Sequence, residues 1–277
     1  NMTKDLNKDI IDIVYNHLNL PTKIVVEGED ERGGIVYVYD ATGVKLEKVV
    51  YDNSADSGKA TQYAGNYIYE KNTEQSPAVL KFFSHSEGYV EPNKDNKFNY
   101  VYQYKDHLGN IRLSYSDSDG NGSIDAATEI IEENNYYPFG LKHKGYNNVI
   151  NGTDHPYGYQ NQEEQNELGL NWIQFKWRNH DPSIGRFFNI DPLAADYAYN
   201  STYAFSENKV IMYNELEGLE TGPAYWMAHT PAAKSAGVTP TSWNKLWERS
   251  EAPSQTEAAV LETGVGFMPI AGQIIDA

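Results

Sequence analysis

The feature that most limits the fold of this sequence is a short turn cluster that recurs between runs of strand-forming residues. Tyr15–Asn19 returns as Tyr39–Gly43, an offset of 39 − 15 = 24 residues, and a looser copy spans Tyr104–Asn110. Asn, Asp and Gly tolerate positive φ, so each cluster predicts the turn of a β-hairpin. An offset of this size is typical of repeat architectures.

The residues around these clusters follow strand patterns. Ile35–Tyr39 is rich in β-branched and aromatic residues, and Phe98–Tyr104 alternates aromatic and polar residues as a half-buried strand does. Gln62–Tyr69 predicts two strands and a turn, and Pro92 ends another strand because proline cannot donate to a ladder. Tyr (22), Phe (9) and Trp (5) are abundant, which favours the same fold class. The sequence therefore predicts an all-β fold.

Charge and cysteine content exclude several functions. The formal net charge of −17 should repel phosphate backbones, so we expect no nucleic-acid partner for this segment. The absence of Cys excludes disulfides, thiolate zinc sites and a Cys nucleophile. The polar N-terminus lacks the apolar region of a signal peptide, and we expect the chain to be part of a longer protein.

An acidic loop has the spacing of a calcium-binding loop. Oxygen-bearing side chains or carbonyls at alternate positions can converge on one hard cation, and Gly122 permits the sharp turn. The expected twelfth-position Glu is replaced by Thr128, and Glu129 stands one residue late. A long hairpin tip rich in turn formers is the alternative. The candidate Ca2+ ligands are Asp117, Asp119, Asn121, Ser123 and Asp125.

Several motifs resemble those of bacterial Rhs (rearrangement hotspot) proteins. Tyr37–Gly43 is similar to the tyrosine-aspartate (YD) repeat, and Tyr136–Gly140 to an aromatic turn that recurs in that family. Phe175–Glu220, with its two Asp-Pro pairs, resembles the Rhs core. The resemblance implies a β-hairpin shell or cocoon in three parts. These are YD-repeat strands over 1–140, the Rhs core over 141–220 and a pre-toxin or linker segment over 221–277.

The same resemblance implies a site for self-cleavage. Rhs proteins of toxin-delivery systems carry two aspartates that resemble an aspartic-protease dyad, and the matching positions here are Asp191 and Glu215. Their separation, 215 − 191 = 24 residues, is close to the family's, and the cut would fall between Leu219 and Glu220. Two carboxyls forced together share one proton, so one can serve as base and the other as acid. Glu in place of the second Asp, and Leu216 in place of its Pro, depart from the pattern. The alternative is that both carboxyls only cap turns.

Two further groups in the core have alternative interpretations. Asp181 with Arg186 predicts either a clamp that aligns carboxylates or an ordinary ion pair, and the ion pair is favoured. A dense aromatic set predicts core packing between strands, with a carbohydrate-stacking surface as the alternative. Its members are Trp172, Phe175, Trp177, Phe187, Phe188, Tyr197, Tyr199, Tyr203 and Phe205.

The composition changes after Glu220. Thr241–Arg249 and Ser254–Leu261 predict short helices, so we expect an irregular or helical tail. Val265–Ile275 is apolar and Gly-rich, and it resembles the segment between Rhs cores and their toxins.

The resemblance implies the C-terminal shell portion of a secreted polymorphic toxin, which encapsulates and presents a downstream effector. Its expected partners are its own C-terminal toxin domain, the bacterial secretion machinery and a cognate immunity protein. The expected location is extracellular, secreted or at the cell surface. The expected chemistry is at most self-cleavage after Leu219. The alternative is a cell-surface YD-repeat protein that acts in adhesion or carbohydrate binding without proteolysis.

Overall fold

A computed structural model describes residues 1–27, 32–51, 58–73, 75–93, 95, 97–143, 148–149 and 155–223. Strands of antiparallel sheets dominate these residues, which confirms the predicted all-β fold. Helical structure in this part of the chain is confined to four short 3-10 turns, η1–η4, at Leu6–Lys8, Tyr159–Asn161, Glu167–Gly169 and Ser206–Asn208. No helix in the described ranges is long and apolar enough to cross a membrane.

The first part of the chain forms a twelve-stranded antiparallel sheet, here called the wall, in which each strand pairs with its neighbour in sequence. Hairpin turns at the three recurring clusters connect β1 to β2, β3 to β4 and β9 to β10, as predicted. The strands are β1 (Ile10–Tyr15), β2 (Pro21–Glu27), β3 (Arg32–Tyr39), β4 (Lys45–Tyr51), β5 (Lys59–Ala64), β6 (Tyr67–Lys71), β7 (Val79–His85), β8 (Gly88–Pro92), β9 (Phe98–Lys105), β10 (Ile111–Tyr115), β11 (Ile130–Glu133) and β12 (Asn148–Val149).

The three predicted turn clusters share one hydrogen-bond pattern, because an Asx side chain opens each of them. Asn16 Oδ1 accepts hydrogen bonds from the backbone N–H groups two and four residues later, at 2.9 and 3.0 Å. Asp40 Oδ1 does the same at 2.8 and 2.9 Å, and Asp106 Oδ1 at 2.9 and 3.1 Å. A fourth turn of this kind is built on Asn93, where sequence reasoning identified none. The side chain supplies an acceptor for amides that a tight turn leaves unpaired.

The alternating pattern of β9 is found as predicted. Val101 is fully buried, whereas Phe98, Tyr100, Tyr102 and Tyr104 are exposed on the opposite face. Successive side chains of a strand point to opposite faces, so the wall has one packed face and one face rich in exposed rings.

The packed face of the wall covers a second unit, here called the core, which contains two small antiparallel sheets. These are β13 (Glu163–Gln165), β14 (Trp172–Gln174), β15 (Asn179–Asp181) and β16 (Arg186–Phe187), and the pair β17 (Tyr213–Leu216) and β18 (Glu220–Pro223). Trp172 and Phe188 pack with apolar residues of β1–β3, whereas the ring of His155 lies 4.7 Å from that of Phe82 on β7. Twelve flat strands would span roughly 50 Å, so we infer that the wall curves around the core.

Buried polar contacts hold the core against the wall. Lys48 of β4 lies 2.9 Å from Glu163 of β13, and Lys45 forms a shorter contact with the same carboxylate. Tyr63 of β5 donates a hydrogen bond to Glu163 at 2.7 Å. Burial favours the protonated acid, but the two lysines outweigh it and lower the pKa of Glu163 to about 2.

The predicted division of the chain into three parts stays a prediction. The two helices and the apolar segment predicted after Glu220 lie outside the described residues. The predicted aromatic packing is found at Trp172, Phe175, Phe187, Phe188 and Phe205, which are all buried, whereas Tyr199 is exposed.

Candidate functional site

Asp191 follows β16 and opens a turn, as its Asp-Pro sequence predicts. Its Oδ1 accepts a hydrogen bond from the N–H of Leu193 at 2.8 Å, and its carbonyl accepts one from Ala194 at 3.1 Å. Its N–H donates to the carbonyl of Thr202 at 3.1 Å. One carboxylate oxygen thus fixes the turn, and the other, Oδ2, faces the interior of the core.

Glu215 lies in β17 and is 4% exposed. Its Oε2 accepts a hydrogen bond from the N–H of Ser206 at 2.8 Å, at the start of η4. Its own N–H donates to Oε1 of Gln160 at 2.8 Å. Hydrogen bonds to Ser206 and Gln160, which are both uncharged, therefore help to fix the position of Glu215.

Arg178 joins the two predicted carboxyls. Its Nη1 lies 2.9 Å from Oδ2 of Asp191, and its Nη2 lies 3.5 Å from Oε1 of Glu215. The guanidinium, on a residue with a side chain 2% exposed, stacks 3.9 Å from the ring centroid of Phe187. A planar guanidinium suits this place because it can bridge two carboxyls in its plane and stack on a ring with its face.

The same guanidinium contacts the hairpin that contains the predicted cut. Arg178 Nε donates a short hydrogen bond to the carbonyl of Gly218, and Nη2 donates to the carbonyl of Leu219 at 3.3 Å. The hairpin joins β17 to β18 through Glu217 (φ 53°) and Gly218 (φ 81°), the signs of a type I′ turn. A Cβ on Gly218 would also lie only 2.9 Å from Cβ of Phe175, so this position requires glycine.

The surroundings of Glu215 favour its protonated form. Burial raises the pKa of Glu215 to about 8, although Arg178 and the Ser206 N–H oppose this shift. Burial also raises the pKa of Asp191, again opposed by Arg178. Glu215 Oε1 lies at ion-pair distance from Arg178, and no hydrogen bond joins it to a described residue. The arrangement pairs a protonated acid with a carboxylate held by a cation, which can support general acid–base chemistry.

The arginine that contacts the carboxyls is Arg178, which sequence reasoning did not select. Arg186 is exposed, and Asp181 forms its ion pair with Lys8 at 2.7 Å. The sequence signal for Arg178 was its position directly after the aromatic residues Phe175 and Trp177. A charged side chain in such a segment needs partners if it is buried.

The acidic loop brings together a different set of residues from the predicted one. Carboxylate oxygens of Asp117, Asp119 and Glu129 lie within 4.8 Å of one another. Asn121 and Asp125 are not in this group, and they accept hydrogen bonds from the backbone N–H groups of Ser123 and Ala127 respectively. Backbone N–H donors, first that of Asp125, lower the pKa of Glu129. Three carboxylates could hold a hard cation, and calcium binding here stays a prediction.

No protein-family model matches the chain. A curated relative, salivary gland surface protein 1 of Aedes aegypti, is 27% identical over 232 residues, covering 79% of this chain and 6% of the relative. Crystal structures of TcdB2–TccC3, with and without its hypervariable C-terminal region, have TM-scores of 0.60 at 18% identity. They cover 76% of this chain and 10% of the matched chains. The Photorhabdus luminescens Tc holotoxin pore, with a mutant TccC3, gives a TM-score of 0.55 at 18% identity over 75% of this chain and 10% of that one. The chain thus spans a small part of each relative, and over that part it has an Rhs-like shell fold.

Proposed function

We propose that the chain is the C-terminal shell portion of a secreted Rhs-type toxin, which encloses a downstream effector and presents it to a delivery machine. The likeness to TcdB2–TccC3, which has a hypervariable C-terminal region, supports this proposal. The core lies on the packed face of the wall and ends in the β17–β18 hairpin, just before residues 224–277. In the proposed shell, a chain that continues from this hairpin starts on the packed side of the wall.

The proposal includes self-cleavage between Leu219 and Glu220. One observation carries it: Arg178 contacts Asp191, Glu215 and the carbonyl of Leu219. Both carboxyls and the carbonyl of the peptide bond that the family resemblance implies therefore contact the buried side chain of Arg178.

In the proposed reaction, water attacks the carbonyl carbon of Leu219. The carboxylate of Asp191 accepts the proton of that water, and protonated Glu215 gives its proton to the departing nitrogen of Glu220. Arg178 stabilises the negative charge that develops on the Leu219 oxygen, as donors of an oxyanion hole do. Hydrolysis leaves a carboxyl group on Leu219 and an amine on Glu220, and the two carboxyl residues have exchanged their protonation states.

Intact mass spectrometry tests the cleavage. We expect the purified chain to break after Leu219, and Asp191→Asn and Glu215→Gln to stay intact. Asp196→Asn, a substitution of an exposed carboxylate in the same loop, serves as the matched control and should still break. An unbroken wild-type chain, or a broken Asp191→Asn chain, would reject self-cleavage and leave encapsulation to be judged separately.

Limited proteolysis of the parent chain with its natural C-terminus tests encapsulation. We expect the downstream domain to resist protease while the shell is folded and to be digested after the shell is unfolded with denaturant. Digestion of that domain in the folded protein, at the rate of the isolated domain, would reject an enclosing role.

The proposed location is extracellular, supported by the relative named as a surface protein. The proposed partners are the chain's own C-terminal toxin domain, the secretion machinery and an immunity protein for the toxin. The strong negative charge argues against nucleic acid as a partner.

Adhesion or carbohydrate binding at a cell surface is a second candidate function. The exposed rings of Phe98, Tyr100, Tyr102 and Tyr104 on β9 favour it, because sugars stack on such faces. Tyr115 extends this surface by stacking on Tyr102 with ring centroids 5.8 Å apart. Binding on a glycan array that is lost in Tyr100→Ala and Tyr104→Ala would establish this function. Equal binding by both variants would reject it.

A further inference from the structure

A cavity of about 240 Å³ lies between the wall and the core, away from the Arg178 cluster. The β5–β6 turn, the β7–β8 turn, β9 and the core residues His155, Tyr157 and Asn161 surround it. Gly65 and Asn66 line the cavity and are exposed, so it reaches solvent at the β5–β6 turn. Its volume fits one small molecule, such as a single sugar acid or a hydrated ion.

His155 brings a buried hydrogen-bond donor to the lining of this cavity. It is 6% exposed, and its ring stacks on that of Tyr89 with centroids 4.0 Å apart. Its Nδ1 accepts a hydrogen bond from the N–H of Tyr157 at 3.3 Å. Burial, aided by Lys105 and Lys142, lowers the pKa of His155 to about 4, so the ring is neutral at pH 7. Its one proton is therefore on Nε2, which has no hydrogen-bond partner in the described part of the chain.

Two neighbouring residues present donors in the same way. Nδ1 of His85 accepts a hydrogen bond from the N–H of Glu87 at 3.2 Å, so Nε2 is the nitrogen of this ring that carries a proton. The buried Nε2 atoms of His85 and Gln103 are, like that of His155, without a partner among the described residues. Buried donors without an acceptor are unfavourable. All three belong to residues that line the cavity.

The charge around the cavity favours an anionic acceptor. Lys105 lines it and donates a hydrogen bond to Asn161 Oδ1 at 3.2 Å, which uses one of its three protons. Burial lowers the pKa of Lys105, and the carboxylate of Glu87 opposes that shift. Glu87 itself is exposed, and no described residue that lines the cavity is acidic. The chain as a whole has a net charge of −17, so a cavity lining whose described residues include a lysine and no acidic residue differs from its overall composition.

We propose that this cavity binds a small oxyanion, a carboxylate or phosphate group held by His85, Gln103, Lys105 and His155. A carboxylate or phosphate oxygen only accepts hydrogen bonds and offers several lone pairs, which matches a site that presents N–H donors and one ammonium group. In both rings Nδ1 accepts a backbone hydrogen bond, which leaves Nε2 as the donor. The site is independent of self-cleavage and of the enclosed effector.

Titration calorimetry of the full 277-residue chain at pH 7 tests the proposal, with inorganic phosphate, acetate and D-glucuronate as separate probes and D-glucose as the neutral control. We expect saturable one-to-one binding of at least one anion and no binding of glucose. Tighter binding of glucuronate than of acetate would identify an acidic sugar as the source of the oxyanion, and tighter binding of phosphate would identify a phosphate group.

Substitutions assign the binding to this cavity. Lys105→Met and His155→Phe should each weaken binding about tenfold, the effect of one charge-assisted hydrogen bond. His155→Phe keeps a ring against Tyr89. The control Lys97→Met removes an exposed lysine just before the same strand and should leave affinity unchanged. Gln103→Leu provides a test if His155→Phe does not fold. No saturable anion binding, or equal loss in Lys97→Met and Lys105→Met, would overturn the proposal.

Discussion

The wall and the core are built from the same chain by opposite means. In the wall, long strands pair with their sequence neighbours, and repeated Asx turns connect several of them. In the core, strands of two to four residues alternate with irregular turns, and the interior holds the charged side chains of Arg178, Asp191 and Glu215. The wall therefore repeats one local motif, the pairing of neighbouring strands, whereas the core depends on side-chain contacts that are not repeated.

Backbone strain is distributed in the same unequal way. Eight of the ten described non-glycine residues with positive φ lie in the core. Leu168, Ser206 and Glu207 are among them, and these residue types seldom adopt positive φ. Strained backbone persists only where its surroundings fix it, and it concentrates at functional sites. The comparison therefore points to the core, rather than the wall, as the place of chemistry.

The largest expected effect is the loss of the buried guanidinium in Arg178→Met. It leaves Asp191 and Glu215 buried without their cation, so we expect a loss of about 3–5 kcal/mol in the free energy of unfolding. Urea denaturation measures it. The control Arg186→Met removes an exposed arginine of β16, also in the core, and should change the stability by less than about 0.5 kcal/mol. Equal effects of the two substitutions would mean that the buried charge cluster does not hold the core together.

The pH dependence of stability should identify Glu215. Its pKa is about 8 in the folded chain, so the folded state binds more protons than the unfolded state between pH 4.5 and 8. Its contribution is therefore full below pH 4.5 and is lost as the pH rises through 8, on the order of 5 kcal/mol in all. His155 and His180 act in the opposite direction as the pH falls towards 4.

The measurement is the difference in unfolding free energy between wild type and Glu215→Gln from pH 4.5 to 8.5. Both proteins contain the same histidines, so the difference reports the ionisation of Glu215. We expect the difference to change steadily across that range, in the direction that favours the Gln variant at high pH. A constant difference would mean that Glu215 ionises normally.

In the wall, the turns should contribute less and nearly equally. Asp40→Ala and Asp106→Ala each remove the acceptor of two backbone N–H groups, and we expect each to lower the melting temperature by a similar few degrees. Asp12→Ala, at an exposed position of β1, is the control and should be nearly neutral. Thermal unfolding compares the three variants. Very different effects of the two turn substitutions would mean that the repeats are not equivalent.

The smallest expected effect is that of calcium on the acidic loop. At a Ca2+ concentration equal to its Kd, bound calcium should stabilise the chain by about 0.4 kcal/mol. Asp119→Asn should abolish the change seen on chelation, and Asp125→Asn should preserve it, because Asp125 faces Ala127 rather than the carboxylate cluster. The opposite result would favour the ligand set predicted from sequence.

Sequence patterns predict the wall well because its rules are local. Strand alternation and turn chemistry are visible within a few residues, as at Tyr39–Gly43. The Asn93 turn is missed because neither Tyr nor Gly marks it. The core is different, since Asp191 and Glu215 are selected only through a family resemblance. Arg178 is missed because its role depends on a fold that brings Glu215 and Leu219 to it.

The strictly sequential strand order also bears on how the protein forms. Each strand of the wall needs only the one before it, so pairing can proceed hairpin by hairpin as the ribosome delivers the chain, with short loops to close. The contact between Lys48 and Glu163 joins residues 115 positions apart, so it can form only after Glu163 has been synthesised. Lys48 pairs with both Glu163 and Glu167 in the folded chain, so we expect the wall to dock on the core only after these later residues are present.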